Sequence, residues 1–176
     1  MLKHILTTTI LLAGTASLHA QSNPLSAELK RFYEGSRNNL MRSAEKVPES
    51  GYSFKPTPDV RTFGQEIGHA AEYMVLICKG VKGEEKPNPA EGKTTKADLM
   101  AALKAAADYC DPIYDSLTDA QLGDKVKMLG RDISKQGALY FNVIHNNEDY
   151  GTIVPYMRLQ GIIPPSSEPR GAGKKQ

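Results

Sequence analysis

The sequence predicts an all-α fold, a four-helix bundle, and three observations carry that expectation. Apolar residues recur at spacings of three and four in four separate stretches, three of which open on a Thr or Ser suited to capping a helix. Runs rich in Gly and Pro separate them. No segment holds the two-residue alternation of a half-buried strand for long, so packing helix against helix is the available way to bury four apolar faces. A chain of 176 residues with 40% hydrophobic residues suffices for one such domain.

The first stretch runs from Leu25 to Val47 and places Leu25, Leu29, Phe32, Leu40, Met41, Ala44 and Val47 on its apolar face. Pro48, Gly51, Pro56 and Pro58 end it and form an extended linker. Thr62 caps the second helix, whose stripe of Phe63, Ile67, Ala70, Ala71, Met74, Ile77 and Cys78 runs to Gly80. A loop rich in Gly, Pro, Lys and Glu comes next. Thr95 and Asp98 then open a third helix carrying Leu99, Leu103, Ala106, Cys110, Ile113 and Leu117, with Pro112 interrupting it. Residues 118–133 are ambiguous between a single turn near Thr118 and a brief extended piece from Lys125 to Leu129. The fourth helix begins near Ser134, carries Ala138, Leu139, Phe141, Ile144, His145, Ile153, Val154 and Met157, and ends before Gly161. Pro155 within it should kink or break it, because the proline ring opposes the carbonyl of Gly151. Residues 164–176 form a Pro-, Ser- and Gly-rich tail, expected to be disordered beyond its first few residues.

Residues 1–20 have the layout of a secretory signal peptide. A basic start at Lys3 and His4 precedes an apolar run from Ile5 to Leu18 that is short for a membrane span, and cleavage is expected after Ala20. The mature domain, residues 21–163, is therefore expected in the periplasm or outside the cell, free of the membrane. With 22 Lys+Arg against 20 Asp+Glu and no basic stripe interleaved with aromatics, the chain lacks the footprint of a nucleic-acid binder. Phosphate-binding and dinucleotide loops and the nucleophile elbow of serine hydrolases are also missing from the sequence.

Two histidines remain in the mature chain, His69 and His145. His145 and Asp149 are four residues apart, which places an imidazole nitrogen and a carboxylate oxygen on one helix face. His69 lies on the apolar side of the second helix, and facing side chains of bundle helices are where such folds build metal sites. The plainer alternatives are a hydrogen-bonded core histidine and a solvated His/Asp pair. Glu66, Tyr73, Asn142 and Glu148 are near enough in sequence to orient these rings. Of the two acids, Glu66 reads more firmly as a surface charge, and Glu148 is the nearer candidate for a base.

The segments from Ser50 to His69, SGYSFKPTPDVRTFGQEIGH, and from His145 to Pro165, HNNEDYGTIVPYMRLQGIIPP, resemble the DinB/YfiT-like superfamily. The resemblance implies a four-helix bundle of up-down-down-up topology with a long crossover between helices two and three. It also implies a divalent metal held by three histidines, one on helix two and an H-x-x-x-H pair on helix four. His69 and His145 occupy the first two positions, while Asp149 stands at the third and makes a set of two histidines and one carboxylate. Zinc, nickel and iron are compatible cofactors. In function, the resemblance implies a metal-dependent transferase that activates a small thiol, or a hydrolase. The alternative is a non-catalytic secreted bundle whose metal is structural or lost. A small-molecule substrate and a homodimer are the partners compatible with it.

Cys78 and Cys110 test the topology. They stand 16 residues past Thr62 and 15 past Thr95, so they are level only if the second and third helices run parallel. An antiparallel pair would hold them about 20 Å apart, far beyond the roughly 7 Å Cα separation a disulfide allows. Residues 81–94 are long enough to return along a helix. A bridge and two buried free thiols are both compatible with the sequence.

Overall fold

The computed structural model describes residues 22–169, so the expected signal peptide lies outside the described residues. Four helices dominate: α1 (Pro24–Lys46), α2 (Phe63–Lys82), α3 (Lys96–Asp115) and α4 (Lys135–Leu159). A hairpin of β1 (Lys125–Met128) and β2 (Arg131–Ser134) precedes α4. None of the helices among the described residues is long and apolar enough to cross a membrane.

The caps explain where the helices begin. Thr62 accepts a hydrogen bond from the Gln65 backbone N–H while the Gln65 side chain accepts from that of Thr62, a reciprocal pair that satisfies two otherwise orphaned donors. Thr95 accepts from Asp98 N–H and Ser134 from Gly137 N–H. The start of α1 is capped from a distance: Asp119 accepts from the Leu25 and Ser26 N–H groups, and Asn23 accepts from that of Asp119.

Contacts fix the up-down-down-up order. Gly64 and Gly68 lie against Leu99 at the start of α3, and Cys78 joins Cys110 near the other end, so α2 and α3 run parallel. Tyr33 donates to Asp111 while Lys96 donates to the Val47 carbonyl, which makes α1 and α3 antiparallel. α4 runs antiparallel to α2, with Asp149 near His69 and Asn142 near Cys78. The Cys78–Cys110 disulfide resolves the open choice in favour of the bridge, at a Cα separation of 5.7 Å.

The core contains Tyr33, Leu40, Phe63, Ile67, Met74, Leu103, Leu139, Ile153 and Met157, with Tyr33 and Tyr114 stacked at 3.8 Å between ring centroids. α1 differs from its expected face. Leu25 and Phe32 are each 55% exposed, and the buried side is Ser26, Leu29, Tyr33, Ser36, Leu40, Ser43 and Ala44. The three serines can be buried because each hydroxyl donates to a carbonyl three or four residues back, to Asn23, Tyr33 and Asn39.

The hairpin occupies the ambiguous segment. Its two-residue turn is Leu129–Gly130, both at positive φ (51° and 76°), and Leu129 gives none of the Asn-Gly or Asp-Gly signal that marks such turns in a sequence. It packs closely on α2, since a Cβ on Gly80 would stand 2.5 Å from the Lys127 carbonyl oxygen. Ile77, Met128 and Ala138 make a small second core beneath it. Pro112 and Pro155 both lie inside continuous helices, so the expected break at Pro155 does not occur. The described chain also continues past residue 163. Pro165–Ser167 forms a 3₁₀ turn, Tyr150 donates to Ser166, and Glu168 pairs with Arg42 and Lys46 on α1.

Candidate metal centre

α2 and α4 together build the site. On α4, His145 and Asp149 are one turn apart, and His145 Nδ1 lies 3.0 Å from Asp149 Oδ2. From α2, His69 Nε2 reaches to 3.9 Å from Asp149 Oδ1. Each oxygen of one carboxylate thus faces one imidazole. One ligand atom from each of the three residues falls within 4.8 Å of the others, which is the arrangement expected of side chains able to share one cation.

The surroundings hold this geometry. Tyr73, one turn after His69, stacks on His145 at 4.2 Å between centroids and leans on His69 at 4.5 Å. Phe141, one turn before His145, lies 6.1 Å from its ring. Asp149 is 4% exposed and His145 8%, whereas His69 sits at the edge of the site. Burial holds the His69 imidazolium below its usual pKa; the Asp149 carboxylate opposes this, and Arg61 and His145 add to it. A lowered pKa keeps His69 neutral near pH 7, with a lone pair free to bind a cation.

Charge balance supplies a separate test of fit. Among the described residues, no Lys or Arg pairs with Asp149; its only ion-pair partners are the two histidines. Nearby, Glu66 is 5% exposed, and Arg61 Nη1 stands 3.5 Å from its Oε2. Burial raises the Glu66 carboxyl above the ordinary carboxylate range, against the pull of Arg61, and the Asp149 charge pushes it further. Buried carboxylates require a compensating positive charge. Two imidazoles around a buried carboxylate, with a second buried acid close by, form a pocket that a divalent cation would balance. The donor set fits the group.

Glu66 is therefore not the surface charge that the sequence suggests. Arg61, immediately before the Thr62 cap, is its partner, and the Arg61 carbonyl is itself held by the Tyr156 hydroxyl at 3.1 Å. Glu148 is exposed and takes no part in the site. Asn142 directs its amide elsewhere: it donates to the Tyr114 hydroxyl and lies 3.8 Å from Cys78 Sγ. Arg158 donates to Ser167 at 2.7 Å, in the C-terminal turn.

Solved structures share this architecture. A DinB-like protein from Bacillus cereus superposes with a TM-score of 0.69 at 15% identity, covering 79% of this chain and 95% of that one. A DinB-like protein from Bacillus subtilis gives 0.61 at 19% identity, covering 76% and 92%. A mycothiol-dependent maleylpyruvate isomerase gives 0.58 at 12% identity, and the match covers 72% of this chain but only 60% of that longer one. None of the curated proteins matches the chain. The DinB superfamily profile matches residues 33–153, most of the bundle from within α1 to within α4, and the chain belongs to that superfamily.

Proposed function

We propose that the protein binds one divalent cation through His69, His145 and Asp149 and uses it to act on a small molecule. The observation that carries this reading is the convergence of the three ligand atoms within 4.8 Å around a buried carboxylate that lacks a fixed cation. Three protein ligands leave a coordination position for a substrate, the pattern of catalytic zinc sites. When bound, the cation supplies Lewis acidity and lowers the pKa of an oxygen or sulfur nucleophile that joins it. The chain's own groups do the rest. His69 and His145 present imidazole nitrogens, Tyr73 packs against both rings, and Asp149 offers a carboxylate oxygen. Glu66, with its raised pKa, replaces Glu148 as the group suited to accept or hold a proton near the ligands. The mycothiol-dependent isomerase among the structural neighbours supports a transferase or isomerase acting through a small thiol, and hydrolysis is the other chemistry compatible with the set.

Zinc titration of the mature protein by calorimetry tests the site. One equivalent should bind, and Asp149→His should bind zinc at least as tightly, since it exchanges a carboxylate for a nitrogen ligand. Failure of both proteins to bind zinc, nickel or ferrous iron would reject the reading.

The protein is further proposed to be exported, on the basic start and short apolar run of residues 1–18 and the small residue at the junction. The Cys78–Cys110 bridge supports this, because disulfides persist mainly outside reducing compartments. Mass spectrometry of protein recovered from the exported fraction of an expressing bacterium should give Gln21 or a close neighbour as the N-terminus. An intact Met1 on a soluble exported product would count against it.

A further inference from the structure

Beside the His69 edge of the site lies an open cleft of about 340 Å³, within the usual size range of small-molecule sites. Its polar wall consists of Arg61, Gln65, His69, Glu72, Asn88 and Lys93. The crossover loop approaches α2 closely here because α2 has a glycine where a Cβ would meet Leu99 at 3.2 Å and Ala90 at 3.5 Å, at Gly68.

Apart from Glu72 and His69, this wall presents hydrogen-bond donors. Gln65 Oε1 already accepts the Thr62 N–H at 2.8 Å, so its amide NH₂ is the group left to bond. Asn88 Oδ1 likewise accepts the Ala90 N–H at 2.9 Å, which again leaves an NH₂ donor. Both assignments are fixed by chemistry, since a backbone N–H requires an oxygen opposite it. Arg61 and Lys93 are donors in any state. Arg61 keeps a side chain 51% exposed while one nitrogen faces Glu66, and Lys93 has no ion-pair partner among the described residues. A larger groove between the end of α2 and the hairpin, about 650 Å³, offers a contrast: there Lys79 pairs with Glu85, Lys82 with Glu84 and Lys127 with Asp132. Three of its four lysines are thus matched, Lys125 being the other.

We propose that this cleft binds the carboxylate of a small organic acid, with Arg61 and Lys93 as its charged anchors and the Gln65 and Asn88 amides as neutral donors. The inference deepens the metal-site reading, resting on it only for the claim that the acid is the substrate. A carboxylate suits the wall better than a phosphate. Glu72 stands among the donors and Glu66 draws on Arg61, so two cations already face two acids, and a monoanionic group adds less uncompensated charge here than a dianion. Charge-assisted bonds of this kind contribute more than neutral ones, and Arg presents the planar fork that a carboxylate accepts.

Calorimetry and amide chemical shifts on the mature protein, with and without zinc, can read the cleft using butyrate, its neutral amide butyramide and inorganic phosphate. Butyrate should bind and shift the amides of residues 64–69 and 88–93, with butyramide and phosphate each at least about tenfold weaker. Lys93→Gln and Arg61→Gln should each weaken butyrate about tenfold, and Lys93→Gln should leave zinc affinity within about a factor of two. Absence of butyrate binding, binding by either variant as tight as the parent's, or tighter binding of phosphate would overturn the proposal. Butyrate binding with these dependences in a protein that takes no metal would uphold the cleft and reject the metal centre; zinc binding without butyrate would do the reverse.

Discussion

The Asp149→Asn variant should lose the stabilisation that zinc confers while its metal-free form unfolds at the same temperature as the parent or slightly above it. Asp149 is a carboxyl group 4% exposed whose only ion-pair partners among the described residues are His69 and His145, and burying a charge in such a place is costly. Asparagine has nearly the same shape and can keep a hydrogen bond with His145 Nδ1, so the neutral substitution removes the cost without leaving a void. For the metal the sign reverses. The anionic ligand is gone, and affinity should fall by about a hundredfold or more, which corresponds to about 2.7 kcal/mol of lost stabilisation at a metal concentration that saturates the parent. Thermal unfolding of both proteins, with and without the same zinc concentration, measures the two effects together. An equal zinc-induced rise in both would remove Asp149 from the site.

Removing the disulfide should produce the largest loss of stability among these changes. Cys78 and Cys110 are fully buried and 32 residues apart in sequence. A bridge closing a loop of that length restricts the unfolded chain by about 3–4 kcal/mol on the chain-entropy estimate. The paired Cys78→Ala, Cys110→Ala variant should therefore melt roughly 8–12 °C lower than the parent, measured under non-reducing conditions. The bridge crosses the parallel pair α2 and α3, whose connection is the long crossover loop that also walls the cleft. Protease cleavage within residues 83–95 should consequently rise in the reduced or alanine form. A variant as stable and as resistant as the parent would show that the bridge contributes little.

Much of the bundle is readable in the sequence because its signals are local. Helix periodicity, the Thr62, Thr95 and Ser134 caps and the i,i+4 spacing of His145 and Asp149 depend on neighbours within one or two turns. The family-like segments extended that reading to topology and to the pairing of His69 with the α4 residues. Other features depend on partners distant in the chain, and there the local signal was misleading or absent. Phe32 reads as core from its spacing, yet Tyr33 and Ser36 are the buried residues, because the face that α1 turns inward is set by α3 and α4 and its serines are satisfied by their own backbone. The hairpin has a Leu-Gly turn and only four residues per strand; it is held by packing onto Gly80 and by a small core drawn from α2 and α4. Pro155 remains within a continuous helix despite its lost backbone donor.

The same division runs through the site. Sequence alone determined which residue types were available: His69 and His145, an aspartate one turn after the latter, and two cysteines at nearly equal distances past their helix caps. Tertiary structure decided the electrostatic setting of each. Glu66 is indistinguishable from a surface acid by pattern, and burial beside Arg61, whose carbonyl is held by Tyr156 from α4, makes it part of the centre instead. Glu148, adjacent to Asp149 in sequence, points the other way because successive helical residues are about 100° apart. The donor character of the cleft exists only because the Thr62 cap occupies the Gln65 oxygen and a loop turn occupies that of Asn88. Covalent order fixes which groups a chain carries, but burial, charge balance and the consumption of hydrogen-bonding partners arise between segments far apart in it, and those are what turn a set of residues into a site.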